Sequence, residues 1–345
     1  MRRLAILLFV GLAAHLQAQQ VFDSYKRDAN TYLAHYAFPL FEGMVLNSAD
    51  GWTHRAKTLK TFHVALQINT DYATVPVRFQ HFTYRSNEYE HLQVLDTAGN
   101  PLPDGTALPT VVGPDTDFKI KLKSPASVPG TYYELEFPAP PGFKEDLDSL
   151  LHGFKPGIPG VSVQLTVGLP MNTELMIRYF PKINYRNIRP DVLGLGVKHD
   201  LGQYFGLKST VRIAGYAAYT HSGVRISRDS IDWEARYGLN TFTVGAVGSV
   251  EMKIVSFYGG LAYIRGGASL QIIGDKDITY DVVDSNGIVI GRQTETLHNP
   301  LDLHFVVNDY KGFVGIRFNL WILHIFAQYN LQKYPGYHAG IGIQI

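Results

Sequence analysis

The feature that most restricts this chain is a period-two alternation that runs through its second half to the last residue. In 161–169, Val161, Val163, Leu165, Val167 and Leu169 alternate with Ser162, Gln164, Thr166 and Gly168. At the end, Tyr337, Ala339, Ile341, Ile343 and Ile345 alternate with His338, Gly340, Gly342 and Gln344. Successive strand side chains point to opposite faces, so each segment has one apolar and one polar or glycine-rich face. The same pattern recurs in 174–180, 190–200, 208–222, 239–250, 253–273, 305–319 and 321–332. Turns between these segments alternate short ("PMN", "EMK", "LW") and long (223–238, 274–304). "VVDSNGIVI" reads as a hairpin with Asn286-Gly287 at its tip.

An antiparallel meander of this kind, with short turns on one side and long loops on the other, is the sequence form of an outer-membrane barrel. After the first twenty residues no stretch reaches the roughly 18 apolar residues of a membrane helix, so any crossing must be made by strands. Only closed barrels let strands cross lipid, because every backbone group must be paired there. Glu174, Arg178, Lys198, Asp200, Arg212 and Arg317 all fall on the polar face. In hydrocarbon each would be costly, so their phase assigns that face to the lumen. They either pair across strands and stiffen the interior, or line a pore or form a polar ring around a ligand. Tyr179, Phe180, Tyr219, Tyr334 and Tyr337 fall near loop-side strand ends and Trp321 in a short turn, the places of aromatic girdles. A secreted β-sandwich binding module is the alternative architecture.

The N-terminus, "MRRLAILLFVGLAAHLQAQQ", has two arginines and then an apolar run over 4–14. That run is too short to span a bilayer and reads as a signal peptide, 1–18, cut after Ala18. The chain has no cysteine, which excludes disulfides and a lipidated cysteine anchor. A net charge of +1 and a pI near 7.9 give no reason to expect nucleic acid as a partner.

Residues 19–57 read as a helical or irregular segment. Tyr32, Leu33, Tyr36, Ala37, Leu40 and Phe41 recur at spacings of three and four, with Pro39 expected to kink or end the helix. Residues 58–345 form the expected barrel, starting with strands at 59–70 and 75–85. Residues 86–160 are rich in proline, glycine and aspartate, with short pieces "HLQVL", "DFKIKLK" and "YYELEF". They are a long insertion or three extra strands. The expectation is therefore an all-β fold, an antiparallel transmembrane β-barrel of about 12–14 strands with an N-terminal plug. Parity adds to it. If the last strand ends in the periplasm, either 86–160 supplies an odd number of crossings or residues 21–57 pass through the lumen. Tyr32, Tyr36, Leu40, Phe41 and Trp52 need apolar cover, and the lumen mouth provides it. They are expected to line the route of a hydrophobic ligand.

Motifs for catalysis are missing: there is no Gly-x-Ser-x-Gly elbow, His-Glu-x-x-His or P-loop. No catalytic residue, metal or cofactor is expected, and Ser162 with His199 is the one hydroxyl–imidazole pair to test. "GLGVKH" has two glycines of a dinucleotide fingerprint but lies within a strand, which fits a lumen-facing pair. His81 and His91 near Glu88 and Glu90 fit a solvated loop better than a metal site. Asp275, Asp277, Asp281 and Asp284 likewise fit an exposed hairpin better than a calcium site.

Four stretches, "GWTHRAKTLKTFHVAL" (51–66), "LPTVVGP" (108–114), "VQLTVGLPMNTELMIRYFP" (163–181) and "GLGVKHDL" (194–201), resemble an uncharacterised family of bacterial outer-membrane proteins defined only as a domain of unknown function. That resemblance implies a barrel and no particular activity. It also implies that 337–345 is the signal read by the barrel-assembly machinery. The plan is similar to that of the long-chain fatty-acid transporter, in architecture alone. The partners expected are outer-membrane lipid, that assembly machinery and a small hydrophobic ligand. The expected role is binding or passage of that ligand at the bacterial outer membrane. A structural or surface-binding barrel without transport is the alternative.

Overall fold

The computed structural model describes residues 2–126, 128–144, 156–180, 188–207, 210–227 and 233–345, with side chains from Asp23 onward except at 180, 188–190, 226–227 and 233. The side chains of the expected signal peptide and of Phe180 lie outside that description. Among the described residues one α-helix, α1 (Arg2–Ala49), precedes sixteen strands. In chain order these are β1 (Val64–Thr74), β2 (His81–Thr83), β3 (Leu92–Leu95), β4 (Ala107–Pro109), β5 (Lys119–Pro125) and β6 (Thr131–Pro138). Next come β7 (Gly157–Leu169), β8 (Thr173–Phe180), β9 (Ile188–Asp200), β10 (Val211–Ser227) and β11 (Trp233–Glu251). The last are β12 (Val255–Asp284), β13 (Val289–His298), β14 (Leu301–Leu320), β15 (Leu323–Leu331) and β16 (Gly336–Gln344).

Ten strands close a ring, in the order β1-β7-β8-β9-β10-β11-β12-β14-β15-β16 and back to β1. Every neighbour is antiparallel. The ring has no open edge, which is what strands in lipid require. Val64 and Ile345 exchange both backbone hydrogen bonds, at 2.9 and 2.8 Å, so the alternation runs to the last residue because that residue is paired at the rim.

The strand number is ten rather than about 12–14. The three pieces in 86–160 are real strands, β3, β5 and β6, but are only 4, 7 and 8 residues long. β3 and β5 fall short of the about 9–11 residues that a crossing takes, and all three find their partners outside the ring. They instead join the outer end of β12, which runs beyond the barrel and pairs with β13 and β6, making an external sheet β13-β12-β6-β5-β3. The expected strand at 75–85 is not a crossing either. Pro76 cannot donate to a ladder, and a 3-10 turn over Val77–Phe79 follows it. The hairpin after β12 is a three-residue loop. Gly287 N–H donates to the carbonyl of Asp284, Gly287 has φ +82°, and Asp284 N–H donates to Ile288.

Register follows the alternation. Leu66, Ile68, Leu165, Leu193, Leu195, Val197, Val244 and Ile341 face outward, while Gln67, Asn69, Gln164, Thr166, Glu174, Arg178 and Lys198 are buried inside. Tyrosines gather near the long-loop rim. Tyr72, Tyr337 and Tyr329 are neighbours across three strands, as are Tyr263 and Tyr310 across two. Tyr179, Tyr219 and Tyr337 are exposed there, and Trp321 stands out at the opposite rim. Tyr334 does not join the girdle expected for it: it is fully buried, packed against Phe79 rather than facing lipid.

α1 does not end at Pro39, which lies inside it. The one i→i−4 bond that proline removes is tolerated because the helix is anchored on either side of it, through Tyr25 and Asp28 before and Phe41 and Asn47 after. Its described outer half packs on the external region. Tyr25 Oη donates to the carbonyl of Tyr133 (2.9 Å) and shares a hydrogen bond with the Ser124 hydroxyl (3.0 Å). Asp28 Oδ2 accepts the N–H groups of Glu90, His91 and Leu92. Its inner half enters the barrel, where Phe41 stacks between Phe305 (4.6 Å) and Tyr237 (5.5 Å).

Candidate functional site

The chain from Phe41 to Phe62 passes through the lumen from the long-loop rim to the short-turn rim, and every step is tied to the wall. Near the top, Asn47 Nδ2 donates to the carbonyl of Ile158 at 2.6 Å. Halfway down, Gln164 Nε2 donates to the carbonyl of Trp52 at 3.2 Å. Lower, Lys198 Nζ reaches the carbonyl of Arg55 (3.0 Å), Ala56 N–H reaches Ser249 Oγ (3.0 Å), and Leu59 N–H reaches Glu174 Oε1 (2.5 Å). At the bottom, Phe62 N–H donates to the carbonyl of Gly168.

The helix ends in mid-lumen, and its end explains two buried cations. The last carbonyls of a helix have no partner within it and carry the negative end of its dipole. Arg178 donates to the carbonyls of Ser48 (3.3 Å) and Asp50 (2.6 Å), and Lys311 to that of Ala49 (3.0 Å). Lys311 also pairs with Asp50 at 2.7 Å, both almost fully buried. Asp50 Oδ2 accepts from Asn330 Nδ2 at 2.7 Å. Gly51 then turns the chain at φ +67°, a conformation that favours glycine, and a Cβ there would sit 2.1 Å from the His338 ring. His338 Nδ1 is 2.7 Å from Asp71 Oδ1, both buried. The Trp52 indole lies flat under the Arg178 guanidinium, 4.0 Å from it. Gly194 and Gly196 make room on its other side, where an added Cβ would come within about 3 Å of the ring. The lumen-facing glycine pair of "GLGVKH" is thus the seat for Trp52.

Among the six expected lumen charges, Glu174–Lys198 (2.8 Å) and Asp200–Arg212 (3.3 Å) are ion pairs between wall strands. Arg178 has the plug carbonyls and Gln164 in place of a carboxylate. Among the described residues Arg317 hydrogen-bonds Asn319 and Gln344 alone. The five apolar positions do not share one route. Tyr32 packs edge-on against Phe82, and Tyr36 Oη donates to the carbonyl of Pro141, both at the external region. Leu40 is half-buried, Phe41 is stacked in the upper lumen, and Trp52 is in mid-lumen. Ser162 faces the lumen near the outer end of β7, hydrogen-bonded by Asn69. His199 is at the opposite end of β9 with Thr173 and Tyr204. The two are not brought together. The acidic residues of the long hairpin also disperse, with Asp275 on His298, Asp277 on Thr296 and Asp281 on Arg292. His81, His91, Glu88 and Glu90 do not converge either, and among the described residues no three potential metal ligands do.

Sequence reasoning missed Asp50, Asp71, Lys311 and His338. Asp71, Lys311 and His338 carried a usable signal, since each is in the inward phase of its strand. Asp50 carried none, because it follows the helix and belongs to no periodic segment. Also missed was the apolar stretch of the upper lumen: Leu239, Ile264, Leu303, Phe305 and Val307 point inward against Phe41, Val45 and Leu46.

Between the plug and the upper wall lies a half-open cavity of about 180 Å³, bounded by Met44, Asn47, Asp71, Arg178, Tyr237 and Leu239.

A closed antiparallel ring with a wide outward apolar band, a polar interior and short turns at one rim is a bacterial outer-membrane β-barrel protein. A patch of that size stays out of water only if lipid covers it. Over residues 1–345 the chain belongs to DUF6588, a family of unknown function. No curated protein sequence matches it. Among solved structures it is similar to the attachment invasion locus protein Ail of Yersinia pestis, at 10% identity, covering 83% of this chain and 99% of that one with a TM-score of 0.25. It is similar to the translocator domain of the autotransporter NalP from Neisseria meningitidis, at 11% identity, 92% and 98% coverage and a TM-score of 0.23. The outer membrane protease OmpT from Escherichia coli follows at 9% identity, 84% and 100% coverage and a TM-score of 0.28. At these scores the likenesses carry no argument about strand number or activity.

Proposed function

We propose that this protein is a sealed, non-catalytic binding barrel: its N-terminal segment closes the lumen, and a small amphipathic molecule binds from outside at the edge of the plug. The observation behind this reading is that the main chain of the plug is hydrogen-bonded to the wall. Five successive or near-successive carbonyls, of Ser48, Ala49, Asp50, Trp52 and Arg55, accept from Arg178, Lys311, Gln164 and Lys198. Free diffusion through such a lumen requires the segment to move. The upper cavity has apolar walls (Met44, Leu239) and two opposite charges (Asp71, Arg178). Its size suits a small ring or short chain, since a dry cavity of about 150 Å³ takes benzene. The hydrophobic-passage reading has less support, because Tyr32, Tyr36 and Phe41 are packed against neighbours. The external sheet built on β12 favours a second role, contact with another surface outside the cell.

Conductance tests the seal. The intact chain in planar bilayers is expected to pass almost no ions, and a chain lacking residues 23–50 to insert and conduct. Steady open-pore conductance of the intact chain would remove the reading.

A further inference from the structure

The short-turn mouth holds an unexplained concentration of positive charge. A cavity of about 440 Å³ opens there between the lower plug and the wall, well away from the upper cavity. Arg55 and Lys57 from the plug, Arg212 from β10, Lys253 from the β11–β12 turn and Arg317 from β14 all line it. One carboxylate, Glu251, lines it with them, and its oxygens accept from Ser249 and Ser256.

Two of these cations, Arg317 and Arg55, have no carboxylate among their side-chain hydrogen-bond partners in the described residues. Arg317 is 2% exposed, and among the described residues its guanidinium hydrogen-bonds only neutral amide oxygens: Asn319 Oδ1 at 2.7 Å and Gln344 Oε1 at 3.5 Å. Arg55 uses the same Gln344 oxygen, at 2.9 Å. Arg212 reaches Asp200 through Nη1, but its Nε is buried with no partner. His324, 1% exposed, also lines the cavity, and neither of its ring nitrogens has a partner. Elsewhere in this lumen buried cations do find acceptors: Lys198 has Glu174, Lys311 has Asp50, and Arg178 has the helix carbonyls. Buried charge is normally paired, and buried donors are normally satisfied. Guanidinium groups present forked donors that match planar or tetrahedral oxyanions.

We propose that this cavity is a binding site for a small oxyanion, a phosphate ester in the first instance, taken from the periplasmic side. Arg317 and Arg55 grip the anion from within. His324 donates or accepts beside them, and Lys57 and Lys253 at the rim draw it in. The volume admits a phosphorylated group about the size of a sugar phosphate. The same phosphate chemistry is carried by soluble esters and by the headgroup of an anionic phospholipid of the inner leaflet. Exposed Met252, Ile322 and Trp321 at the rim place the cavity within reach of that leaflet. This site is independent of the sealed-lumen reading, since a barrel that conducts could still bind an anion at its lower mouth.

The test uses the full chain in phosphatidylcholine nanodiscs, titrated calorimetrically with inorganic phosphate and with glucose 6-phosphate. Thermal unfolding is then compared in discs with and without phosphatidylglycerol. Saturable binding that weakens with added salt is expected, and Arg317→Gln should reduce affinity by about tenfold or more. Lys57→Ala combined with Lys253→Ala alters only exposed side chains and should weaken binding several-fold without changing the fold. Stabilisation by phosphatidylglycerol without a response to the soluble probes would assign the anion to lipid. The proposal is overturned if neither soluble probe nor phosphatidylglycerol has an effect. It is overturned equally if binding is seen but is indifferent to both Arg317→Gln and the double lysine variant.

Discussion

Replacing Lys311 with methionine tests how the plug is held. The Lys311 ammonium donates to Asp50 Oδ1 at 2.7 Å and to the carbonyl of Ala49 at 3.0 Å, with both side chains at most 2% exposed. Methionine keeps most of the stem volume but leaves the Asp50 carboxylate sealed in the lumen without its cation. Breaking one side of a buried pair costs about 3–5 kcal/mol. The wall strands close through their own ladders, so the cost falls on the seating of the plug. At about 1.4 kcal/mol per tenfold, the displaced population should rise by roughly two to three and a half orders of magnitude. Single-channel recording should show openings absent from the parent, and residues 51–60 should become open to protease added from the short-turn side. Asp50→Leu combined with Lys311→Met removes both charges. Replacing a buried pair with apolar groups of similar volume is often neutral. The double variant should therefore recover most of the seal, less about 1–3 kcal/mol for the Asn330 amide left without its acceptor. If Lys311→Met stays closed and protease-resistant, or the double variant opens as readily as the single, this pair does not hold the plug.

Arginine at Leu165, on the outer face, should destabilise the barrel by about 2–4 kcal/mol near the midplane, while Thr210→Arg at the exposed short-turn rim should be mild; urea unfolding in lipid reads the difference. Asp96 is held below the usual carboxylate range by N–H of Asn100, its side-chain amide and N–H of Ala98. A depressed carboxylate contributes stability above its unfolded value and loses it as pH falls through the folded one. Amide exchange at Ala98 and Asn100, corrected for intrinsic rate, should therefore accelerate below about pH 4, and Asp96→Asn should abolish that dependence. The chain has no cysteine, so threading can be read without background. In intact cells Arg27→Cys should react with an impermeant maleimide, while Lys60→Cys should react only after the outer membrane is opened; the reverse pattern would invert the path of the plug.

Much of the wall was legible in the sequence because one rule governs it. Lipid outside and a polar lumen inside make Val163/Gln164 or Val197/Lys198 alternate, and a one-residue slip would reverse every face. The rule fails where the lumen is not polar. Leu239, Phe305 and Val307 point inward because α1 puts Phe41, Val45 and Leu46 opposite them, so the inner face of upper β14 follows the helix rather than water. Strand number was misread for a related reason. "YYELEF" alternates like a crossing, but its partners belong to the external sheet, and no local pattern says which sheet a short strand joins. Within the candidate site, Glu174–Lys198 was recoverable from phase. The role of Arg178 was not, because its partners are backbone carbonyls at a helix end and leave no trace in side-chain spacing.

The position of the plug also constrains how the ring closes. Phe62, at φ +66°, turns the chain directly from plug into β1, so no slack separates them. Pairing β1 with β7 brings the plug against that strand, through Asn47 to Ile158 and Trp52 to Gln164. The remaining seam is β1 with β16, and Asp71–His338 spans it from one strand to the other. Asn330 on neighbouring β15 holds Asp50 of the plug. If the ring closed first, the segment would have to be drawn through a finished barrel, past inward aromatics that have only water to face until it arrives. If the plug lies on β7 before β16 docks, those apolar side chains are covered as the ring shuts. The contacts that seal the lumen are then also contacts of the closing seam. A variant that loosens the plug at Asp50 should therefore slow assembly of the barrel as well as open it.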